Sequence, residues 1–227
     1  MRATAIIPVK RFGDAKQRLL EALDRPQRAA IVKAMLTDVL ASVTATELVE
    51  RVIVVTGEGR AERIALAQGR RTAVPLEVLR DPTDSGHSPA ATLGIVRALS
   101  HRAQAVALLP GDCPLLDADE LDAALKRLGE GTVAVVPDRH ETGTNGLLMA
   151  PADAIGPAFG EGSMERHRDR AARAGHTAVV ERISSLALDL DTPDDLAALT
   201  EVLGERPDLA PTTAAELARP APSGGGR

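Results

Sequence analysis

The 227-residue sequence has no Trp and no Tyr, and Phe12 and Phe159 are its only aromatic residues. With 44% hydrophobic residues, the core must therefore be built from Ala, Val, Leu and Ile. Scarce aromatics argue against binding single-stranded nucleic acid, which stacks bases on aromatic platforms or planar arginines. A formal net charge of −5 gives no basic footprint for a nucleic-acid backbone. Cys113 is the only cysteine, which excludes an internal disulfide, and His87, His101, His140, His167 and His176 do not pair with it or with each other at zinc spacing. No apolar run is long enough to span a bilayer, so no membrane association is expected. The chain begins in a strand-like run without a basic-then-apolar leader, and the expected location is the cytoplasm. No GxxxxGK[ST] phosphate loop occurs, and no internal repeat.

What is present is an alternation of short aliphatic runs and helical segments. Runs at 3–9, 51–56, 76–79, 105–109, 132–136 and 186–190 are mostly non-alternating, as in strands buried on both faces of a mostly parallel sheet. Between them the sequence predicts helices over about 24–45, 60–68, 88–99, 117–128, 163–174 and 192–203. Ser88 with Pro89, Asp117 with Glu120, and Thr192 with Pro193 and Asp195 carry helix-start chemistry. This order predicts a layered α/β domain with right-handed crossovers. The segment 139–151 breaks the alternation and reads as a loop plus an added, antiparallel strand. Residues 1–203 are expected to form a single domain. From about Gly204 a Pro/Ala/Gly-rich tail is expected to add little core and to be at least partly disordered.

Ligands of open α/β sheets bind beyond the carboxyl ends of the strands. Asp112 in "LLPGDCPLLD" and the pair Asp189 and Asp191 in "LALDLDTPDDL" follow or close apolar runs that would end at such an edge. Carboxylates gathered there suit Mg²⁺, which takes hard oxygen ligands and shares them with substrate phosphates. The alternative for Asp112 is a turn residue in "PGDCP", and for Asp189 and Asp191 it is the entry to a helix. Lys10, Lys16 and Arg18, with Arg11 and Gly13, follow the first run and read as a phosphate cradle or as a solvated basic loop. Thr144 and Asn145 suit either a ligand or a turn. Gly160, Gly162 and Ser163 open a helix whose N–H groups suit an anion, or a plain helix start. Cys113 reads as a packed small residue rather than a nucleophile.

Taken together, "IIPVKRFGDAKQRL", "LLPGDCPLL", "GTNGLLM", "FGEGSMERH" and "LDLDTPDDL" resemble, over about residues 3–203 and in the same order, the 2-phospho-L-lactate or phosphoenolpyruvate guanylyltransferases of coenzyme F-420 (deazaflavin) biosynthesis. "PVKRFGDAKQRL" and "GTNGLLM" are the more specific of these motifs. "GDCPLL" and "DTPDDL" recur across nucleotidyltransferases of similar fold. The resemblance implies a three-layer Rossmann-like nucleotidyltransferase (glycosyltransferase-A-like) domain with a mostly parallel mixed sheet. It implies GTP and a small phospho-acid as substrates, Mg²⁺ as cofactor, and a downstream deazaflavin phospho-acid transferase that takes the product. Asp112, Asp189 and Asp191 would hold the metal, and Lys16 and Asp112 would be catalytic. Lys16, Thr144, Gly160 and Ser163 would hold the acid, and Lys10 and Arg18 would face the triphosphate. The stretch 81–94, "DPTDSGHSPAATLG", departs from the family pattern where the loop would lie near the guanine. Rival readings are another nucleotidyltransferase (molybdenum cofactor or sugar phosphate), a glycosyltransferase, and a non-catalytic nucleotide-binding protein.

Overall fold

Along the central strands, successive side chains enter opposite cores. In the computed structural model, which describes residues 1–12, 19 and 23–219, Ala5 and Ile7 join one aliphatic cluster while Ile6 joins a second on the other face. Ala107 and Leu109 against Val106 and Leu108, and Leu148 and Ala150 against Leu147 and Met149, repeat this split. A strand buried on both faces has no polar side to alternate with, which is why these runs are continuous in sequence.

The elements follow in the order β1 (Ala3–Val9), α1 (Arg25–Ala45), β2 (Val49–Thr56), α2 (Gly59–Gly69), β3 (Leu76–Arg80), α3 (His87–Ser100), β4 (Val106–Leu108), α4 (Ala118–Arg127), β5 (Thr132–Pro137), β6 (Thr144–Ala150), α5 (Ser163–Arg173), β7 (Thr177–Val180), α6 (Pro193–Glu205) and α7 (Pro211–Leu217). The strands form one seven-stranded sheet in the order β3-β2-β1-β4-β6-β5-β7. Only β6 runs against its neighbours: it is antiparallel to β4 and β5, and the other pairs are parallel. Helices α1, α2, α4 and α6 cover one face, and α3 and α5 the other. On the second face Gly94 lets α3 approach β1 so closely that a Cβ there would run into Ile6. The expected mostly parallel three-layer sheet and its antiparallel insertion are both present. No helix of the described residues is long and apolar enough to cross a membrane.

Several local expectations differ from the structure. The run 186–190 is not a strand: a 3-10 turn over Ser184–Leu186 leads into irregular backbone. Strand β7, on the sheet edge, was not legible, because its residues are mostly exposed. Gly86, not Ser88, caps α3, and the Ser88 hydroxyl instead accepts from the Phe159 N–H at 2.9 Å. Asp117 caps α4 by accepting from Glu120 N, but the Glu120 carboxylate reaches Ser185 rather than closing a capping box. Full capping boxes start α1 at Asp24/Gln27 and α6 at Thr192/Asp195.

The C-terminal segment also adds core, against expectation. Helix α6 continues to Glu205, and α7 docks on α1 with Ala210 and Thr213 fully buried. The buried Asp38 carboxylate of α1 accepts from Thr212 N at 3.1 Å, and from Thr213 N and Oγ1 at 2.7 Å each. It thereby satisfies N–H groups that the start of α7 leaves without intrahelical partners. Residues 220–227 lie outside the described residues. Replacing Asp38 by Ala strands these donors in a buried setting and should cost about 2–3 kcal/mol in urea denaturation. Amide-exchange protection should fall in 211–217 while β1 and β4 keep theirs. An unchanged midpoint would mean that apolar contacts alone hold α7.

Candidate active site

At the carboxyl edge of the parallel strands lies a cleft of about 970 Å³. Lys10, Asp112, Thr144, Gly160, Ser163, Asp189 and Asp191, all predicted site residues, line it. Lys16 and Arg18 lie outside the described residues. Lys10 directly follows β1, and Pro110–Gly111–Asp112 follows β4. Because β6 is reversed, its first residues, Thr144 and Asn145, enter at the same edge where the other strands leave.

Asp189 and Asp191 reach this edge without a strand ladder to carry them. The Asn145 side-chain amide donates to Leu186 O at 2.8 Å, to Ala187 O at 3.4 Å and to Asp189 Oδ1 at 3.2 Å. The Cys113 thiol, fully buried, contacts Leu186 O at 3.7 Å, in keeping with a packing role. Downstream, the Asp195 carboxylate accepts from Asp191 N at 3.0 Å and Thr192 N at 2.7 Å, and pairs with Arg139 at 2.6 Å. Burial pushes the Asp195 carboxyl up, but hydrogen bonds from Thr192 and Asp191 and the Arg139 charge outweigh it and hold it below the usual range. Asn145 and Asp195 thus place the acid-bearing segment. Sequence reasoning weighed Asn145 only as a ligand or turn residue and took Asp195 for a cap.

Asp112 and Asp189 are half-buried and Asp191 is exposed. Among the described residues, no group of three or more His, Cys, Asp or Glu is arranged to hold a metal ion by itself. The donor set is nevertheless all oxygen, with no nitrogen or sulfur ligand type among the predicted three. That suits Mg²⁺, which is bound through one or two carboxylates together with substrate phosphates and water rather than by an all-protein cage.

The same cleft is lined by the hydroxyl-bearing Thr144 and Ser163. The Gly160–Gly162 turn, with φ of 110° and 65° at the two glycines, leads into α5. Ser163 was expected to offer its backbone N–H, but that group donates to Gly160 O at 3.0 Å, so it closes the turn instead. Its side chain is different: the Ser163 Oγ is buried and has no hydrogen-bond partner among the described residues. Thr144 Oγ1 lies 3.1 Å from His167 Nδ1, and Ala158 N–H donates to His167 Nε2 at 2.8 Å. His167 is fully buried, and desolvation, then the charges of Arg170 and Arg166, pushes its imidazole down to about 4. Phe159 stands edge-on to both His167 and His87, with ring centroids 5.2 and 4.4 Å apart. The loop after β3 is ordered by Asp81, which accepts from Ser85 N and Oγ and from Thr83 Oγ1. Asp138, whose carboxylate accepts from Thr142 N and Gly143 N, and His167 were not singled out from sequence. Their partners lie in other segments or in a turn whose geometry the sequence does not spell out.

Two stability measurements follow from these residues. Ser163→Ala removes no internal hydrogen bond, so its urea midpoint should be unchanged or higher than wild type, whereas a loss of about 1 kcal/mol would mean that the hydroxyl has a partner in the fold. For His167 the unfolded imidazole, ordinary at about 6.5, binds its proton before the folded one at about 4. Stability should therefore fall as pH drops from about 6.5 toward 4, by at most about 1.4 kcal/mol per pH unit. The pH dependence over this window should flatten in His167→Gln, and equal slopes for the two proteins would contradict the lowered value.

Residues 3–205 match the model of a family described as "Guanylyl transferase CofC like". A phosphoenolpyruvate guanylyltransferase of Conexibacter woesei is 42% identical over 208 residues, covering 91% of each chain. A 3-phospho-D-glycerate guanylyltransferase of Phenylobacterium zucineum is 37% identical, covering 85% of this chain and 87% of its own. Among solved structures, a putative nucleotide-diphospho-sugar transferase from Desulfovibrio desulfuricans superposes with a TM-score of 0.72 at 17% identity over 96% of this chain and 94% of its own. A nucleotidyl transferase from Methanothermobacter superposes with a TM-score of 0.62 at 16% identity, over 90% of this chain and 99% of its own. These structures are similar in fold, and the sequence relatives decide the family. The chain is a nucleotidyltransferase and belongs to the CofC-like guanylyl transferase family.

Proposed function

We propose that this protein transfers the guanylyl group of GTP to the phosphate of a small phospho-acid, with phosphoenolpyruvate as the first candidate acid. An oxygen of the acid's phosphate attacks the α-phosphorus of GTP, the bond from that phosphorus to the β-phosphate bridge breaks, and pyrophosphate leaves. A GDP-capped acid is formed. In this reading the product passes to a deazaflavin phospho-acid transferase in coenzyme F-420 assembly. The observation that carries the proposal is one cleft lined both by the acids Asp112, Asp189 and Asp191 and by the hydroxyl-bearing Thr144 and Ser163. A metal triphosphate suits the acids and a small anion the hydroxyls.

The nucleophile is a phosphate oxygen already ionised near neutral pH, so the reaction needs no general base. That agrees with His167, the buried histidine beside the cleft, having both ring nitrogens occupied by Thr144 and Ala158. Asp112, Asp189 and Asp191 would hold Mg²⁺, which neutralises charge on the triphosphate and on the leaving pyrophosphate. Lys10, exposed at the end of β1, adds a positive charge facing the phosphates. Ser163 Oγ and Thr144 Oγ1 orient the acid by donating to its carboxylate or phosphate. The Gly160 turn brings the chain close enough for that anion to meet them. Lys16 and Arg18 are assigned to the acid's phosphate and to the triphosphate by family resemblance. Catalysis then consists of positioning and of charge stabilisation prepared in advance.

The relatives named for phosphoenolpyruvate and for 3-phospho-D-glycerate favour a three-carbon phospho-acid, with 2-phospho-L-lactate as the third member of the panel. The test is pyrophosphate release from GTP and Mg²⁺ with each acid in turn, ATP and CTP as controls, and the downstream transferase present to trap the product for mass spectrometry. Release with GTP and one acid is the expected result. No release from folded protein that binds GTP would overturn the proposal. Asp112→Asn should lower turnover by about a hundredfold or more, by analogy with the loss of other electrostatic stabilisers. Near-normal turnover by that variant would remove Asp112 from the metal site.

A further inference from the structure

The geometry points to His167 as a positioning residue that fixes the direction of the Thr144 hydroxyl, turning it into an obligate donor toward an anion in the cleft. This inference rests on the proposed role of Thr144 as a ligand of the phospho-acid.

Ala158 N is a backbone amide and only donates, and it lies 2.8 Å from His167 Nε2. Nε2 must therefore present its lone pair. An imidazolium, or the tautomer with hydrogen on Nε2, would set two N–H groups against each other. In the neutral ring that remains, the proton sits on Nδ1. Nδ1 is 3.1 Å from Thr144 Oγ1, so the ring donates and the hydroxyl accepts. A hydroxyl has one proton. With one Thr144 lone pair taken by the histidine, that proton points away from the ring, and Thr144 lines the cleft.

The opposite tautomer would have the opposite effect. Thr144 would give its proton to Nδ1 and present only lone pairs to the cleft, which repel a carboxylate or phosphate. The choice between attraction and repulsion is thus made by the Ala158 N–H, acting through the imidazole. The ring has little freedom to change this: His167 is fully buried on α5, and Phe159 meets it edge-on at 73° between ring planes. The groups facing it are Thr144 from β6, Ala158 and Phe159 from the preceding loop, and Arg166 and Arg170 on its own helix.

The test separates the two hydrogen bonds of the ring. In His167→Gln the amide oxygen can take the place of Nε2 and keep the Ala158 bond, with no donor left for Thr144. In His167→Asn the amide nitrogen can take the place of Nδ1 and restore the donor. With the acid that gives turnover, Thr144→Val and His167→Gln should each raise its KM about tenfold or more and leave the KM for GTP unchanged, the loss expected for one hydrogen bond to a charged group. His167→Asn should lie nearer wild type. The double variant Thr144→Val/His167→Gln should be no worse than Thr144→Val alone, because the histidine acts through the hydroxyl. Losses that multiply in the double variant, or a His167→Gln effect shared equally by GTP, would overturn the inference. A costly Thr144→Val beside a silent His167→Gln would overturn it alone, whereas a silent Thr144→Val would also overturn the proposed role of Thr144. Nitrogen-15 NMR of the wild-type imidazole gives a reading independent of turnover and of variant folding. A neutral ring with hydrogen on Nδ1 at pH 7 is expected, and an imidazolium or hydrogen on Nε2 would overturn the inference.

Discussion

The side-chain amide of Asn145 joins the acid-bearing segment to the sheet, and the cleft depends on that junction. Residues 187–191 have no strand ladder, so their backbone polar groups need other partners. Asn145, at the start of the reversed strand β6, donates to two carbonyls of the segment and to Asp189 itself. Asp195 takes the N–H groups of Asp191 and Thr192 at the far end and is anchored by Arg139. The acids are therefore held from the sheet on one side and from α6 on the other. Reversing β6 is what makes this arrangement available. In an all-parallel sheet a strand leaves the ligand edge through its last residues, whereas β6 brings its first two there.

Buried carboxylates serve the fold differently from those in the cleft. Asp38 and Asp122 are each about 5% exposed or less, and both are taken up by backbone N–H groups, of Thr212 and Thr213 in one case and of Glu47 and Leu48 in the other. They close helix and loop ends that would otherwise be left with unpaired donors inside the protein. The acids of the predicted metal set stay half-buried or exposed along the cleft wall. Burial thus sets Asp38 and Asp122 apart from the three candidate functional carboxylates.

What was legible in the sequence follows from the same physics. Strands β1, β2, β4 and β5 are buried on both faces, so each is a continuous aliphatic run. Strand β7 has only one neighbour and mostly exposed side chains, so its four residues carry no such signal. Leu186 and Leu190 are as buried as strand residues yet belong to a 3-10 turn and to irregular backbone, since apolar spacing records burial and not hydrogen-bond pattern. The motif residues gather along one cleft: Lys10, Asp112, Thr144, Gly160 and Ser163 because they sit at or near element ends that the topology places at one edge, and Asp189 and Asp191 because Asn145 and Asp195 hold their segment there. Ser88, Glu120 and His167 were misread or passed over for a shared reason: their partners are Phe159, Ser185 and Thr144, each 23 or more residues away. Local sequence offers a nearer partner for the first two and none for the third.

Among the described residues that line the cleft, Thr144 and Ser163 offer hydroxyls, and the proposed chemistry gives them a role beside the Lys16 assigned to the acid's phosphate. A cation paired with the acid's phosphate, the place that resemblance gives Lys16, binds the acid and also stabilises the charge on the attacking oxygen in the ground state. That charge is spent as the new bond to phosphorus forms, so part of the stabilisation would be lost in the transition state. Hydroxyls of Thr144 and Ser163 supply direction with less such penalty. Positive charge placed toward the triphosphate meets the negative charge that develops on the leaving pyrophosphate. A hydroxyl has its own weakness as a donor, since it can turn and offer lone pairs instead of its proton. Burying a neutral imidazole whose tautomer is set by a backbone N–H removes that freedom at Thr144 without bringing a formal charge to the site.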